Sequence, residues 1–343
     1  KDGFTVANAP GGRLIYFVVN HVVPPGDNVD VLRGIAAAID RDEIVDRVFN
    51  GRVEPLYTQI PPGILGSKDS FDERYAAPDL DLAKELLTGA GYSEAKPLQL
   101  LVGLPGARWG QGSVDAVQVI KDQLEATGLI KVKVESSEAS TYFDALFAGQ
   151  TYNLGLLAFE FDFPDPDNHV GLFVQSGGLG TMVTDPKTNK PLDDNAATLL
   201  DLLTQGATTT DPDQRAEIYG QLQDVWADEV VTLPLYRETA TIAYRDGVTG
   251  DPALPNPESL NVGAMQEMEK TIERHSLPAH TVGFGVKGCV TWSTTPVRNY
   301  RDYKATDFGL AELSWLWGVN RNILTPPGLD EQWLVSLAHT DED

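Results

Sequence analysis

Apolar and polar residues form two kinds of segment along the first 245 positions. Short apolar runs rich in β-branched and aromatic residues predict buried strands. These runs are residues 13–20, 97–103, 129–135, 153–161, 230–236 and 239–245. Segments with apolar residues every three or four positions predict amphipathic helices. These segments are residues 29–39, 40–50, 80–90, 114–127, 141–148, 195–205 and 212–228. Alternating strands and helices predict an α/β lobe.

Capping residues mark where several of these helices begin. Asp40 and Glu43 have the spacing of a capping box, and Ser113 is a candidate cap for the helix that follows it. Asp211 is followed by Pro212, which is typical of an N-cap with proline at the first helical position. Between the helices, long loops are expected at 55–78, 103–112 and 162–168.

Composition and charge exclude several classes of function. The 343 residues include 42% hydrophobic and 22% charged positions, which indicates a folded chain long enough for two domains. The chain has 26 Lys and Arg but 50 Asp and Glu, which gives a formal net charge of −24 at pH 7. That charge repels phosphate backbones, so nucleic acid and anionic membranes are poor partners. The longest apolar runs are well short of the roughly 18–20 residues of a membrane span.

Motifs for catalysis and metal binding are missing from the sequence. The single cysteine, Cys289, allows no internal disulfide and no thiolate metal cage. The signatures G-x-S-x-G, H-E-x-x-H and the P-loop are absent, and the five histidines are scattered. An acidic metal cluster around residues 40–43 is the alternative to helix capping there, but capping carboxylates are far commoner. We therefore predict no metal ion and no enzymatic site.

Residues 246–261 are rich in proline and glycine and predict a boundary between two regions. Four of the six tryptophans and the only cysteine follow this boundary. The predicted organisation is a lobe at 1–245, a linker at 246–261 and a module at 262–343. The chain opens on Lys-Asp-Gly without an initiator methionine, so either a leader has been removed or the chain begins inside a longer protein.

Four segments of the first region carry a family resemblance. They are VLRGIAAAIDRDEIVDRVFNGRVEPLYTQIPPG (31–63), LDLAKELLTGAGY (80–92), TYFDALFAGQTYNLGLLAFEFDFPDPDN (141–168) and TTTDPDQRAEIYGQLQDVWADEVVTLPLY (208–236). With these four segments in this order, residues 1–256 resemble the second lobe of the peptide/nickel-type (family 5) solute-binding proteins of ABC importers. The resemblance implies a type II periplasmic-binding-protein-like lobe with a mixed sheet and flanking helices, ending in return strands of the first lobe.

The same resemblance implies a function and a location. Two lobes of such a protein close over a ligand, here a peptide or similar cationic solute, and deliver it to the membrane subunits of the importer. The protein would be periplasmic or extracytoplasmic and associated with the membrane through the importer.

The segment after the strand at 153–161 is the best candidate site. A carboxylate at the end of a strand, flanked by aromatic rings, can neutralise a ligand ammonium in a partly desolvated pocket. Asp162, between Phe161 and Phe163, has this setting, and the family's aspartate for the ligand amino terminus falls on it. Asp165 and Asn168 are weaker ligand candidates, since both also suit loop-shaping hydrogen bonds. The alternative is that all these carboxylates only form turns.

Trp109 is a second candidate, because a tryptophan in a glycine-rich loop can stack on a ligand side chain. Packing at the edge of the core is the alternative for this residue. The acidic cluster at 162–168 lacks the spacing and the bidentate glutamate of an EF-hand, so calcium is not expected there.

A second resemblance covers residues 262–343. LPAHTVGFGVKGCVTWSTTPVRNYRDYK (277–304) and WLWGVNRNILTPPGLDEQWLVSLAHT (315–340) are similar to the C-terminal segment of class III pyridoxal-phosphate aminotransferases, especially glutamate-1-semialdehyde aminomutases. The resemblance implies a small α+β module and places the family's active-site-edge glutamate on Glu331. The cofactor lysine and phosphate cup belong upstream in that family, and neither Lys287 nor Lys304 matches the lysine.

The second resemblance leaves three interpretations of the module open. We expect a catalytically inactive segment without bound pyridoxal phosphate, whose exposed apolar surface leads to self-association. The alternatives are a fragment of an active aminotransferase, which would need the cofactor, or a fusion of two ancestries without a function of its own.

Overall fold

The computed structural model describes residues 4–148, 151–160, 165–174, 183–185, 187–188, 190–245, 268–284, 287–298, 300–321 and 333–334. The chain divides into two compact units. The larger unit comprises Val6–Ala243, and the smaller one comprises Lys1–Thr5 together with Tyr244–Asp343.

A six-stranded sheet forms the centre of the larger unit. Its strands are β1 (Phe4–Val19), β2 (Val53–Pro55), β3 (Leu98–Leu104), β4 (Ile130–Ser136), β5 (Leu154–Glu160) and β6 (Thr232–Arg245). The order across the sheet is β2-β6-β1-β5-β3-β4. β3 is parallel to β4 and β5, whereas β1 is antiparallel to β5 and β2 is antiparallel to β6. The predicted mixed sheet is therefore confirmed.

Helices flank this sheet and mostly follow the predicted apolar spacing, but those that begin at Asp72 and Pro166 lie in segments predicted to be loops, 55–78 and 162–168. They are α1 (Val29–Ala37), α2 (Arg41–Phe49), α3 (Asp72–Tyr75), α4 (Leu80–Gly89), α5 (Gln111–Glu125), α6 (Ala139–Phe147), α7 (Pro166–Val174), α8 (Asp194–Thr208) and α9 (Pro212–Glu229). On α5, for example, the buried Ala116, Ile120 and Leu124 recur every four residues. α1 packs on α4, and α8 packs on α9.

Side-chain caps begin these helices largely where the sequence predicts them. Asp211 accepts a hydrogen bond from the backbone N–H of Gln214 at 2.9 Å. Asp40 accepts one from the N–H of Glu43 at 2.9 Å, but the return half of the predicted capping box is wrong. Gln123 of α5 accepts from the Asp40 N–H at 3.2 Å and donates to the Glu43 carboxylate at 2.7 Å. Gln123, from a distant part of the chain, thus takes the place of Glu43 as the acceptor for the Asp40 N–H.

Two other local predictions are corrected by the structure. Ser113 does not cap α5, because the helix begins at Gln111, and the Ser113 hydroxyl donates to the Trp109 carbonyl at 2.9 Å. The strands predicted at 230–236 and 239–245 are one strand, β6. The polar pair Arg237 and Glu238 resembles a turn in the sequence, but both residues pair with β2.

The core of the larger unit lies between the sheet and its helices. Trp226 of α9 is fully buried there, and its indole N–H donates to the Thr232 hydroxyl at 2.9 Å. That hydroxyl donates to the Gln59 side-chain oxygen at 2.7 Å. The indole N–H of Trp226 and the hydroxyl of Thr232 are therefore both paired inside the core.

The smaller unit contains a three-stranded antiparallel sheet in the order β7-β8-β9. Its strands are β7 (His280–Phe284), β8 (Lys287–Thr291) and β9 (Trp333–Leu334). Its helices are α10 (residues 268–275), α11 (Tyr300–Lys304) and α12 (Phe308–Val319). Among the helices in the described ranges, none is both long enough and apolar enough to cross a membrane.

Removing the cap of α2 tests the origin of this helix end. We expect Asp40→Ala to lower the free energy of unfolding by about 1 kcal/mol, because the N–H of Glu43 loses its acceptor. The matched control is Asp42→Ala, at an exposed aspartate two residues further along the chain, which should cost less than about 0.5 kcal/mol. Urea denaturation followed by circular dichroism measures both. Equal losses would contradict a capping role for Asp40.

Candidate functional site

The carboxyl ends of the three parallel strands define the candidate site. β3, β4 and β5 end at Leu104, Ser136 and Glu160, and ligands of open α/β sheets bind outside such ends. We call this side of the sheet the carboxyl edge. The predicted site residues follow two of these strands, since Trp109 comes after β3, and Asp165 and Asn168 come after β5. Phe161, Asp162, Phe163 and Glu331 lie outside the described residues.

Helix α7 begins inside the segment predicted to be a loop. The prediction of a loop over 162–168 is wrong from Pro166 onward, because the helix starts there. Asp165 accepts a hydrogen bond from the N–H of Asp167 at 2.9 Å, and its carbonyl accepts from the N–H of Asn168 at 3.1 Å. This is a side-chain-to-backbone bond of the predicted kind. Asp followed by Pro is the same signal that begins α9, and it could have revealed α7.

An ion pair holds Asp165 in place. Arg215 of α9 donates to both of its carboxylate oxygens, from Nη1 to Oδ2 at 2.7 Å and from Nη2 to Oδ1 at 2.8 Å. The Nε of Arg215 donates to the carbonyl of Gly206 on α8 at 2.8 Å. These hydrogen bonds from Arg215 hold the pKa of Asp165 below its usual value. Arg215, which the sequence interpretation missed, therefore ties the start of α7 to two other helices.

The second carboxylate of this cluster has a different environment. Burial raises the pKa of Asp167, and the neighbouring charge of Asp165 raises it further. The fully buried Tyr219 places its hydroxyl 3.4 Å from the Asp167 carboxylate, and Arg215 lies 5.1 Å above the Tyr219 ring. α8 approaches this ring so closely that a Cβ at Gly206 would lie 2.7 Å from it. The cluster is thus a packed structural unit between three helices.

His169 is a buried residue of α7, four positions after the ion-paired Asp165. Its ring meets Phe159 of β5 edge to face at 5.9 Å, and its carbonyl accepts a hydrogen bond from Gln59 at 2.9 Å. Burial lowers the pKa of His169 to about 4, and the nearby charge of Arg237 contributes in the same direction. The sequence interpretation counted His169 only among the scattered histidines, because nothing local indicates its burial.

A second ion pair holds the end of β5. Arg13 of β1 donates from Nε to the carboxylate of Glu160 at 2.6 Å, and from Nη1 to Glu238 of β6 at 3.1 Å. Burial raises the pKa of Glu238. Glu160 and Asp165, the described residues on either side of 161–164, therefore each pair with an arginine.

Trp109 belongs to a different cluster of side chains. It is half-buried and meets Phe143 of α6 edge to face at 6.1 Å, while the guanidinium of Arg108 lies 5.5 Å above the same ring. The β3–β5 pairing ends at Gly103 beside Gly155. β5 continues for five more residues, about 16 Å. The structure therefore groups Trp109 with α6, and groups Asp165 and Asn168 with α7 and α9.

The fold defines the class of protein, and the comparison with known proteins defines the family. An α/β lobe with this mixed sheet is a type II periplasmic-binding-protein lobe. Residues 1–181 match the family described as bacterial extracellular solute-binding proteins, family 5 middle. This match covers more than half of the chain, which therefore belongs to that family.

Individual relatives agree with this assignment. The oligopeptide-binding protein OppA of Bacillus subtilis is 27% identical over 256 residues, which are 73% of this chain and 44% of OppA. The structure of the dipeptide-binding protein of Pseudoalteromonas sp. SM9913 in complex with Met-Leu has a TM-score of 0.57 at 22% identity, over 73% of this chain and 47% of that one.

A third relative has a still more similar fold. The ABC transporter substrate-binding protein CtaP of Listeria monocytogenes has a TM-score of 0.62 at 21% identity, over 74% of this chain and 49% of that one. The chain spans about half the length of the relatives it matches. None of these matches supports the aminotransferase resemblance of residues 262–343, which stays a hypothesis.

The geometry of the Asp165–Arg215 pair can be tested without removing its charge. We expect Arg215→Lys to lower the free energy of unfolding by about 1–2 kcal/mol, because an ammonium cannot bind both carboxylate oxygens and the Gly206 carbonyl together. Arg47→Lys changes an exposed arginine paired with Glu43 and should cost less than about 0.5 kcal/mol. Urea denaturation compares the two, and equal costs would argue against the bidentate pair.

The burial of His169 predicts a loss of stability in acid. Its pKa is about 4 in the folded protein and about 6.5 in the unfolded chain. Between these values the unfolded chain binds more protons, so the free energy of unfolding falls as pH decreases from about 6.5 to 4. The loss reaches about 3 kcal/mol for this group.

Denaturation at a series of pH values measures this effect. His169→Gln should flatten the slope between pH 6.5 and 4, whereas the same change at the exposed His275 should leave the slope unaltered. His21, whose pKa burial also lowers to about 4, retains part of the slope in both variants. An unchanged slope in His169→Gln would show that His169 does not titrate as its burial requires.

Proposed function

We propose that this chain is the ligand-binding lobe of an extracytoplasmic solute-binding protein that delivers peptides, or similar cationic solutes, to the membrane subunits of an ABC importer. The observation that carries the proposal is the match of residues 1–181 to bacterial extracellular solute-binding proteins, together with the pairs Arg13–Glu160 and Arg215–Asp165 on either side of residues 161–164 in the sequence. A carboxylate that follows a strand at the carboxyl edge suits recognition of an ammonium group. Similarity to the oligopeptide-binding protein OppA and to the dipeptide-binding protein in complex with Met-Leu supports a peptide as ligand.

Within this proposal, Asp162 is the group that binds the amino terminus of the ligand. Phe161 and Phe163 exclude water and so strengthen the charge interaction. Asn168 and Trp109 remain candidate contacts at the same edge. Asp165 is a weaker candidate for a ligand contact, because both of its oxygens already accept hydrogen bonds from Arg215. Its proposed contribution is to position the segment that precedes it.

We further propose a lobe at residues 1–245, a linker at 246–261 and a module at 262–343. The module would have no pyridoxal-phosphate chemistry, in keeping with a chain that binds a solute and catalyses no reaction. Its self-association is supported by α12, where Leu313, Leu316 and Trp317 are half-exposed or more. An apolar surface of this kind favours contact with a second copy.

Ligand binding through Asp162 can be measured by thermal denaturation with a dipeptide such as Met-Leu. We expect the free dipeptide to raise the melting temperature, because a ligand that binds only the folded state stabilises it. N-acetyl-Met-Leu, which lacks the ammonium group, should have no such effect. Asp162→Asn should lose the shift, whereas Asp81→Asn, an exposed aspartate on α4, should keep it.

The acetylated peptide tests whether the ammonium group of the ligand is recognised, and Asp162→Asn tests whether Asp162 recognises it. A shift with both the free and the acetylated peptide would remove the ammonium group from the recognition. A shift with the free peptide that survives in Asp162→Asn would remove Asp162 from the site. No shift with either form would overturn the peptide proposal.

A further inference from the structure

The larger unit carries a large surplus of negative charge. Residues 6–243 include 35 Asp and Glu but only 17 Lys and Arg. In about 0.1 M salt, charges more than about 10 Å apart are largely screened from each other, so a bound ligand responds mainly to the charges nearest to it. The balance of charge beside the candidate ligand segment therefore determines which ligands are attracted there.

Eight charged side chains lie at or beside the carboxyl edge near the start of α7, and we call them the edge charges. They are the arginines Arg13, Arg215 and Arg237 and the carboxylates Glu54, Glu160, Asp165, Asp167 and Glu238. Ion pairs, the register of β2 with β6 and mutual effects of charge connect them. Together the edge charges carry two more negative than positive groups.

The first surplus carboxylate is found at Arg13. This arginine is shared between two partners, since its Nε donates to Glu160 at 2.6 Å and its Nη1 to Glu238 at 3.1 Å. Arg237 does not supply the missing charge, because it stands opposite Glu54 in the pairing of β2 with β6. Burial lowers the pKa of Arg237, and the charge of Glu54 opposes that effect. One carboxylate beside Arg13 is therefore unbalanced.

The second surplus carboxylate is Asp167. Among the residues that the structure describes, no lysine or arginine forms an ion pair with it, and Arg215 binds both oxygens of Asp165 instead. Burial raises the pKa of Asp167, and the charge of Asp165 raises it further. A cation on a ligand beside Asp167 would oppose both effects.

These carboxylates remain accessible from the edge. The Glu160 side chain is 61% exposed, and Asp167 is half-buried. Asp162, two positions after Glu160, adds a further negative charge to the candidate ligand segment. A ligand ammonium bound to Asp162 would neutralise that charge alone, and the surplus of two among the edge charges would remain for another positive group.

We propose that the carboxyl edge selects peptides that carry an additional positive charge, such as a lysine side chain, over peptides that carry an additional negative charge. This inference rests on the proposed peptide-binding function and specifies its class of ligand. The edge charges attract a cationic side chain and repel an anionic one, which favours the association of the first and opposes that of the second.

Isothermal titration calorimetry with three tripeptides tests the proposal on the whole chain. Met-Lys-Leu, Met-Gln-Leu and Met-Glu-Leu have the same termini and differ only in the middle side chain. In about 0.1 M NaCl we expect Met-Lys-Leu to bind at least about fivefold more tightly than Met-Glu-Leu, with Met-Gln-Leu between them. In about 1 M NaCl, where screening acts over about 3 Å, the ratio of the two affinities should fall below about twofold.

Variants at the edge charges test where the selection arises. Asp167→Asn and Glu160→Gln each remove one negative charge, so each should lower the ratio of affinities for Met-Lys-Leu and Met-Glu-Leu at least about twofold in about 0.1 M NaCl. Glu85→Gln is the matched control, because it removes an exposed carboxylate on α4, and it should leave the ratio unchanged. Circular dichroism verifies that each variant is folded.

The possible results distinguish this inference from the proposed function. Equal affinity for Met-Lys-Leu and Met-Glu-Leu, or tighter binding of Met-Glu-Leu, would overturn the selection while peptide binding stands. A ratio that persists in about 1 M NaCl, or that is unchanged in both Asp167→Asn and Glu160→Gln, would overturn the assignment to the edge charges. Failure of all three tripeptides to bind would overturn the peptide function, and this inference with it.

Discussion

The antiparallel pairing of β1 with β5 is the interaction on which the rest of the larger unit depends. It runs from Arg13 beside Glu160 to Val19 beside Leu154. At one end it brings an arginine to the last residue of the strand before the candidate ligand segment. At the other end, Val19 is followed by the segment that contains His21. One ladder of backbone hydrogen bonds therefore positions the end of β5, which the candidate ligand segment follows.

Two arginines, Arg13 and Arg215, add side-chain contacts to the backbone pairing of the sheet. Arg13 of β1 contacts side chains of β5 and β6, the two strands on either side of β1. Arg215 joins the start of α7 to α8 and α9. Both pairs retain partial exposure, so the cost of removing charges from water is modest. Their value lies in geometry, because a bidentate guanidinium defines the position of a carboxylate more narrowly than an ammonium does. Asp165 is held in this bidentate way, whereas Arg13 contacts Glu160 through the single oxygen Oε1.

Charge is distributed differently around the carboxylates of the larger unit. At the carboxyl edge, the carboxylates of Glu160 and Asp165 are matched by arginines within hydrogen-bond distance. At the end of α9, the carboxylate of Glu229 is 3.9 Å from the guanidinium of Arg33 and lies within the electrostatic influence of Asp193. Opposite charge stabilises an ionised carboxylate, whereas burial and a like charge destabilise it. Glu160 and Asp165 are thus each paired closely with an arginine, whereas Asp167 and Glu229 are carboxylates whose pKa burial and a like charge raise.

The sequence alone determined the α/β class, most element positions, the cap of α9 and the family resemblance of the first region, because apolar periodicity and helix caps are local signals. The tertiary structure decided the strand order, the single strand β6 and the start of α5. It also decided the partners Arg215 and Gln123 and the burial of His169. The physical reason is that hydrogen bonds between distant segments, such as Asp165 with Arg215, leave no periodic trace in either segment. Local patterns therefore identify the elements, and long-range pairing assembles the sites.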